Sequence, residues 1–381
     1  MNVAIISPTQ ESEKALSIIS DHLVNGIKKE GVSISPLTYE AGSPLSFLKL
    51  VKNLNKYEII HLHHEYGLLG YYGLPFFVFL PLLKTSGKKI IINMHTILPL
   101  YGVFTENKIK NFFRKSLYFL QNKIINYVSD AVIVNENFLK EILLKDYKIE
   151  KNKIVVIPQG VIENPPLIDK NSAKKELGLN GNVFLIIGNI TSDSGADIIL
   201  EQADKIGKTI LFVTNPKGVN IRNKKKTEDY VENCKKIVLD NNFGKFVRFD
   251  LKEINNKLWW EYLSAADLII QSYRGDVRSG VFSDAMAARV PVIASDIPFF
   301  REMAKKYGGL KIVQNNKDYP SKIKEALKPT IYKKMKEECE RYVKENGLSA
   351  VSKQYKKLYE KLLYGKHSNN LTSKKFPKKI S

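Results

Sequence analysis

The sequence predicts an α/β fold built from two doubly wound domains, each with a parallel sheet covered by helices. Two patterns carry this reading. Short Ile- and Val-rich runs alternate with helical patterns in two successive rounds, and a proline pair, Asn164-Pro165-Pro166, separates the rounds. The length agrees, because 381 residues exceed one ordinary domain and suffice for two buried cores.

In the first round, strands are expected at Val3–Ser7, Val32–Leu37, Glu58–Leu62, Lys89–Met94, Ala131–Val134 and Lys153–Ile157. Helical patterns fill Glu11–Glu30 and Lys108–Val128. The second round gives strands at Val183–Gly188, Thr209–Val213, Lys245–Phe249, Asp267–Gln271, Val292–Ala294 and Leu310–Val313. Its helices fall near Gly195–Lys205, Thr227–Asn241, Asn255–Ala265 and Ser279–Ala288. The expected domains are residues 1–165 and 166–330, followed by amphipathic helices over 331–364 and a basic, apolar-poor tail over 365–381. In open parallel sheets ligands sit beyond the carboxyl ends of the strands, so a site is expected where two such edges face a cleft.

Composition narrows the class. A hydrophobic share of 44% with 26% charged residues is that of a globular protein. Cys234 and Cys339 stand far apart with no clustered His, which speaks against a disulfide framework and a zinc site. The opening Met1–Pro8 segment lacks a basic leader and reads as a first strand rather than a signal peptide. The greasiest stretch, Leu74–Leu83, is broken by Pro75 and Pro81 and falls short of the roughly 20 residues a spanning helix needs. The expectation is a cytoplasmic protein. A net charge of +21 favours anionic partners, although lysines spread over the whole chain give the same total as a solvated surface.

Polar residues gather at the expected strand ends. In His61-Leu62-His63-His64-Glu65, strand alternation sends His61 and His63 to one face and Leu62 and His64 to the other. That division opposes a metal site and leaves His64 and Glu65 as polar groups at a ligand edge. His95, after the fourth strand, has an imidazole able to bond a sugar hydroxyl or move a proton. Gly160, in Ile157-Pro158-Gln159-Gly160-Val161, permits an unusual backbone turn. The segment Gly188 to Gly195 is a strand–loop–helix start suited to a phosphate. In Tyr273 to Ala287, Ser279 is a credible N-cap, Gly280 admits a ligand to the first helical turn, and Arg274 and Arg278 carry forks matched to a diphosphate.

Taken in order, several segments resemble the retaining GT-B glycosyltransferases grouped as family 4, nearest to a mannosyltransferase-like branch. They are His63-His64-Glu65-Tyr66-Gly67, Met94-His95-Thr96-Ile97-Leu98-Pro99, Val156-Ile157-Pro158-Gln159-Gly160-Val161, Ser264-Ala265-Ala266-Asp267-Leu268, and Ser279-Gly280 through Pro291-Val292-Ile293-Ala294-Ser295. The resemblance implies a GT-B fold of two Rossmann-like domains, acceptor first and donor second. It also implies metal-independent transfer of a hexose from UDP- or GDP-hexose to a glycan or lipid-linked acceptor with retention. It further implies that His95 contacts the transferred sugar and that the helix from Ser279-Gly280 binds the donor diphosphate. Asp284 and Asp276 fall where the family has acidic residues for the ribose and the sugar. Asn189 and Ser194 stand where typical members carry an Arg and a Lys, and Ser7-Pro8-Thr9-Gln10-Glu11 replaces their glycine-rich turn. In this reading Arg274 and Arg278 supply the missing charge.

Lys108–Leu120 mixes cations with large apolar residues, and with Leu74–Leu83 and the tail it forms a candidate surface for an anionic membrane. The competing reading is a core helix with a solvated basic face. The altered donor loop also admits a non-catalytic partner of the same fold that scaffolds a transferase or binds glycan. Nucleic acid is not expected, because the run Arg222-Asn223-Lys224-Lys225-Lys226 has no accompanying binding motif. An epimerase of this shape is the remaining alternative. No spare carboxylate pair points to a glycosidase.

Overall fold

The computed structural model describes residues 1–215, 224–275 and 278–365. Contacts divide the chain into two units. One is Met1–Gly160 joined by the chain from Leu348 onward, and the other is Val161–Gly347. The 331–364 segment is therefore shared, with helix Pro329–Asn346 in the second unit and helix Leu348–Tyr364 in the first.

The first unit holds β1 (Asn2–Pro8), β2 (Ser33–Tyr39), β3 (Ile59–His64), β4 (Lys89–Met94), β5 (Ala131–Val134) and β6 (Ile154–Val156), ordered β2-β1-β3-β4-β5-β6 and all parallel. Both faces are covered, which is why the strands read as near-continuous apolar runs. Ala4, Ile6, Ile60, Leu62, Ile92 and Met94 pack with Phe76, Leu80, Tyr118 and Ile125. The opposite set, Val3, Ile5, Ile59, Ile91 and Ile133, packs with Leu23, Val24 and Ile27 of helix Lys14–Lys29 and with Tyr355 and Tyr359 of helix Leu348–Tyr364.

Helix Lys108–Val128 starts at Asn107, whose side chain accepts from the Lys110 amide at 3.0 Å. It buries Tyr118, Gln121, Asn122, Ile125 and Val128 and leaves Ile109, Phe112, Phe113, Leu120 and Tyr127 exposed. The solvent side is thus not merely basic. It carries an apolar stripe at helical spacing.

The second unit holds β7 (Val183–Ile187), β8 (Thr209–Thr214), β9 (Val247–Leu251), β10 (Leu268–Gln271), β11 (Val292–Ser295) and β12 (Leu310–Val313), again parallel, in the order β12-β11-β10-β7-β8-β9. The order reverses between β7 and β10, the kind of point where open α/β sheets bind ligands. The helix expected over Gly195–Lys205 is two short pieces, Ala196–Leu200 and Ala203–Ile206. Between them the Gln202 side chain donates to the carbonyls of Ile198 and Asn316. Cys234 and Cys339 are buried free thiols. Among the described residues no helix is long and apolar enough to cross a membrane.

Candidate active site

At the carboxyl edge of the first sheet, β3 delivers three histidines. Its pleat sends His61 and His63 toward helix Leu348–Tyr364 and His64 to the other face, as the alternation predicts. The rings of Tyr355, His61, His63 and His95 follow one another at centroid spacings of 5.4, 5.1 and 4.9 Å with near-parallel planes. His61 Nδ1 shares a 2.8 Å hydrogen bond with the Tyr359 hydroxyl, and His63 Nδ1 shares one of 2.7 Å with His95 Nε2. Burial pushes His61 well below the ordinary imidazole range and His63 down to about 4, so both are neutral at physiological pH.

His95 lines a small cavity of about 40 Å³ within this unit, together with His22, Asn93, Asn135, Gln159 and Gly160. Two expected residues, His95 and Gly160, therefore meet. Gly160 is needed there for a different reason from the one expected. It does not take a left-handed φ; instead, a Cβ would come within 2.7 Å of Leu348 Cδ2. Asn93 is fixed by donating to the Tyr355 hydroxyl at 3.0 Å, and Asn135 by donating to the Ile157 carbonyl at 2.9 Å. Residues from helix Leu348–Tyr364 carried no local sequence signal for this site, lying some 260 positions from their partners.

His64 is a correction. Its ring is fully enclosed, edge-on to Phe76 at 4.5 Å and to Tyr66 at 5.6 Å, and burial lowers it to about 3. It is a core ring and not an edge group. Glu65 is half-buried, accepts from Thr96 Oγ1 at 3.2 Å, and is raised by burial above the ordinary carboxyl range.

In the second unit the two expected ligand segments converge at the reversal between β7 and β10. The turn at Gly188, with φ of 122°, brings its backbone near Val281 in the first turn of helix Gly280–Ala287. Gly195, also left-handed, packs against the Ser272 carbonyl beyond β10, and the Ser272 hydroxyl donates to the carbonyls of Ser194 and Gly195. Ser279 caps the helix by accepting from the Phe282 amide at 3.1 Å, and it also accepts from Gln271 Nε2 at 2.8 Å. Gly280 is exposed, and a Cβ there would meet nothing within 4 Å. The helix therefore starts with open space at Gly280 and a positive dipole end, a fit for an anion.

Asp284 sits one turn on, largely buried, with Oδ2 accepting from Trp259 Nε1 at 3.1 Å. Burial pushes its carboxyl up to about 6 against the opposing pull of that hydrogen bond. Trp259, on helix Asn256–Ala265, is a site residue that the sequence pattern did not single out.

Other expected residues fall elsewhere. Arg274 is committed to Asp197 through two bonds of 2.9 and 2.5 Å and to the Ser192 carbonyl at 2.8 Å, so its fork braces the loop instead of facing a ligand. Ser194 is buried and donates to the Thr191 carbonyl at 2.6 Å. Asn189 is exposed beside Gly188, and Arg278 is half-buried next to the Ser279 cap. Asp276 lies outside the described residues, as does the tail beyond Gly365. Among the described residues no cluster of three or more His, Cys, Asp or Glu could hold a metal ion.

The family description Glycosyltransferase Family 4 matches residues 1–164, and Glycosyl transferases group 1 matches residues 168–346. No curated protein sequence matches the chain. Among solved structures, sucrose-phosphate synthase from Thermosynechococcus elongatus is similar with a TM-score of 0.74 at 18% identity, covering 95% of this chain and 99% of its own. A glycosyltransferase from Rickettsia africae ESF-5 is similar with a TM-score of 0.69 at 15% identity, covering 96% and 99%. Anabaena Alr3699/HepE in complex with UDP gives 0.71 at 13% identity, covering 94% and 100%. At these identities the structures speak for the fold. Joined to the two matches that together span nearly the whole sequence, they place the chain among the family 4-like glycosyltransferases of the GT-B fold.

Proposed function

We propose that the protein moves a hexose from a UDP- or GDP-hexose to a glycan or lipid-linked acceptor, with retention at the anomeric carbon and without a metal. The observation that carries the donor half is the open start of helix Gly280–Ala287 at the reversal point of the second sheet, with Asp284 one turn beyond. Helix amides aimed at a departing diphosphate stabilise charge that grows in the transition state, which is how such a site accelerates transfer. Because Arg274 is tied to Asp197, this reading assigns the nearby side-chain charge to Arg278. Asn189 replaces a grip with a neutral, exposed group, Asp284 holds the ribose, and Asp276 takes the sugar. His95 is assigned to contact with the transferred sugar, as the sequence resemblance implies. UDP is the first nucleotide to test, since the Anabaena relative is solved with UDP and with UDP-glucose. Mannose is the first alternative hexose, following the sequence resemblance.

On the acceptor side, this proposal has the transferase work at the cytoplasmic face of an anionic membrane. Support comes from the exposed side chains Tyr71, Tyr72, Tyr101, Val103, Ile109, Phe112 and Phe113. Arg114 links three of these segments, with its guanidinium 5.4 Å from the Tyr72 ring and Nη1 donating to the Phe104 carbonyl at 2.8 Å. Apolar groups of this size set among Lys108, Lys110 and Lys115 suit a headgroup boundary better than bulk water.

Calorimetric titration with UDP, GDP and their hexose conjugates tests the donor site, repeated on Arg278→Ala and Asp284→Ala. Tight binding of one nucleotide, weakened at least tenfold in both variants, is expected. Absence of binding to every nucleotide overturns the donor assignment and points to a non-catalytic partner.

A further inference from the structure

The His63–His95 pair has a direction. The two rings are joined by one 2.7 Å contact, from His63 Nδ1 to His95 Nε2, and one nitrogen must carry the proton that bridges them. His63 is fully buried and neutral, held down to about 4 by that burial, so it has a single N–H. Its other nitrogen, Nε2, is also buried and has no hydrogen-bond partner among the described residues.

Two arrangements are then open. With the proton on Nε2, His63 would leave an N–H group orphaned in the interior. With the proton on Nδ1, it leaves only a ring lone pair unmatched. Buried orphan donors are the rarer and costlier case. The proton therefore belongs on Nδ1, which makes His63 the donor and His95 Nε2 the acceptor. A neutral His95 whose Nε2 accepts must carry its own proton on Nδ1.

We infer that His63 is a positioning residue that fixes His95 as the Nδ1–H tautomer, so that His95 meets a sugar oxygen as a hydrogen-bond donor and not as a general base. The contact with sugar rests on the function proposed above, whereas the tautomer does not. The near-parallel planes, 14° between His61 and His63 and 13° between His63 and His95, keep the donated hydrogen in line with its acceptor. Asn93 and Tyr355, bonded to each other on the same face, hold the other side of the His95 cavity.

The chain has only six histidines, so long-range ¹⁵N correlation spectra of the full-length protein labelled at histidine resolve each ring. His95 is expected to show a protonated Nδ1 and a bare Nε2 at neutral pH. His63→Phe keeps the ring and removes the donor, and it should collapse that pattern toward the opposite tautomer. His63→Asn places an amide N–H near the lost Nδ1–H and should restore it. Thermal unfolding of each variant reports folding separately. A proton on Nε2 of wild-type His95, or a pattern unchanged in His63→Phe, overturns the inference. If His63→Phe does not fold, the wild-type spectrum and His63→Asn still decide. In transfer assays kcat should fall on the order of 10- to 100-fold in His63→Phe with KM little changed, and recover in His63→Asn. A correct tautomer with no transfer in the wild type would sink the proposed function and leave the positioning role standing.

Discussion

The indole of Trp259 donates to the carboxylate of Asp284 at 3.1 Å, and this is the polar contact that offsets the burial of that charge. Burial still wins, leaving the group at about 6 instead of the ordinary carboxyl range. Because the folded value is raised, stability from this group is full at low pH and is lost as pH rises through 6. Asp284→Asn keeps the acceptor for Trp259 and removes the charge. It should stabilise the fold by roughly 3 kcal/mol at pH 7.5 and by well under about 1 kcal/mol at pH 4. Urea unfolding at the two pH values checks this, and equal effects would show that the carboxylate is not strained.

His64 gives the opposite sign. Its folded value of about 3 lies below that of a free imidazole, so acid charges the unfolded chain first and stability falls as pH drops below 6.5. At pH 5 this costs roughly 2 kcal/mol relative to neutral pH. His64→Phe, matched to the aromatic surroundings of Phe76 and Tyr66, should remove that loss and move acid unfolding to lower pH. Circular dichroism across an acid titration measures the midpoint.

Gly195 combines a left-handed φ of 63° with an approach to the Ser272 carbonyl that leaves no room for a Cβ. Gly195→Ala should therefore cost about 2 kcal/mol or more and loosen the loop beside helix Gly280–Ala287. An unchanged urea midpoint would mean that the loop shifts freely to absorb the methyl.

The Arg274 fork holds Asp197 by two bonds, and Tyr230 adds a third at 2.5 Å. Burial raises the Asp197 carboxyl, and these partners outweigh it to hold the group below its ordinary value. Arg274→Lys retains charge without the fork and should recover little of the roughly 1 kcal/mol lost in Arg274→Ala, a modest figure because the pair is partly exposed. Thermal melts of both variants compare them directly.

Phe112 and Phe113 are 67% and 65% exposed. Replacing both by Glu should abolish flotation with vesicles containing anionic phospholipid while leaving the melting temperature within about 2 °C. Flotation that persists in the double variant would remove this face from the membrane proposal.

Much of this molecule is legible in its sequence, for identifiable reasons. Each of the strands expected from Ile- and Val-rich runs is present, because two-sided burial writes itself into every residue of a strand such as Val183–Ile187. Ser279 reads correctly as a cap because capping is local. What stayed hidden depends on distant partners. Nothing near Arg274 announces Asp197, 77 positions away, and nothing near His61 announces Tyr359, 298 positions away. His64 misleads because a polar residue type at a strand end resembles a ligand group even when aromatic rings enclose it.

Helix Leu348–Tyr364 also sets an order of assembly during synthesis. The first unit is begun ahead of the second and finished after it, since Tyr355 and Tyr359 seal the face on which His61 and His63 lie. The second unit is one uninterrupted stretch, Val161–Gly347, and has all of its strands before that helix exists. A chain truncated after residue 347 should therefore protect the second unit from protease while the first remains cleavable. Addition of helix Leu348–Tyr364 then closes the histidine row, so the part of the molecule proposed to touch the sugar matures after the second unit.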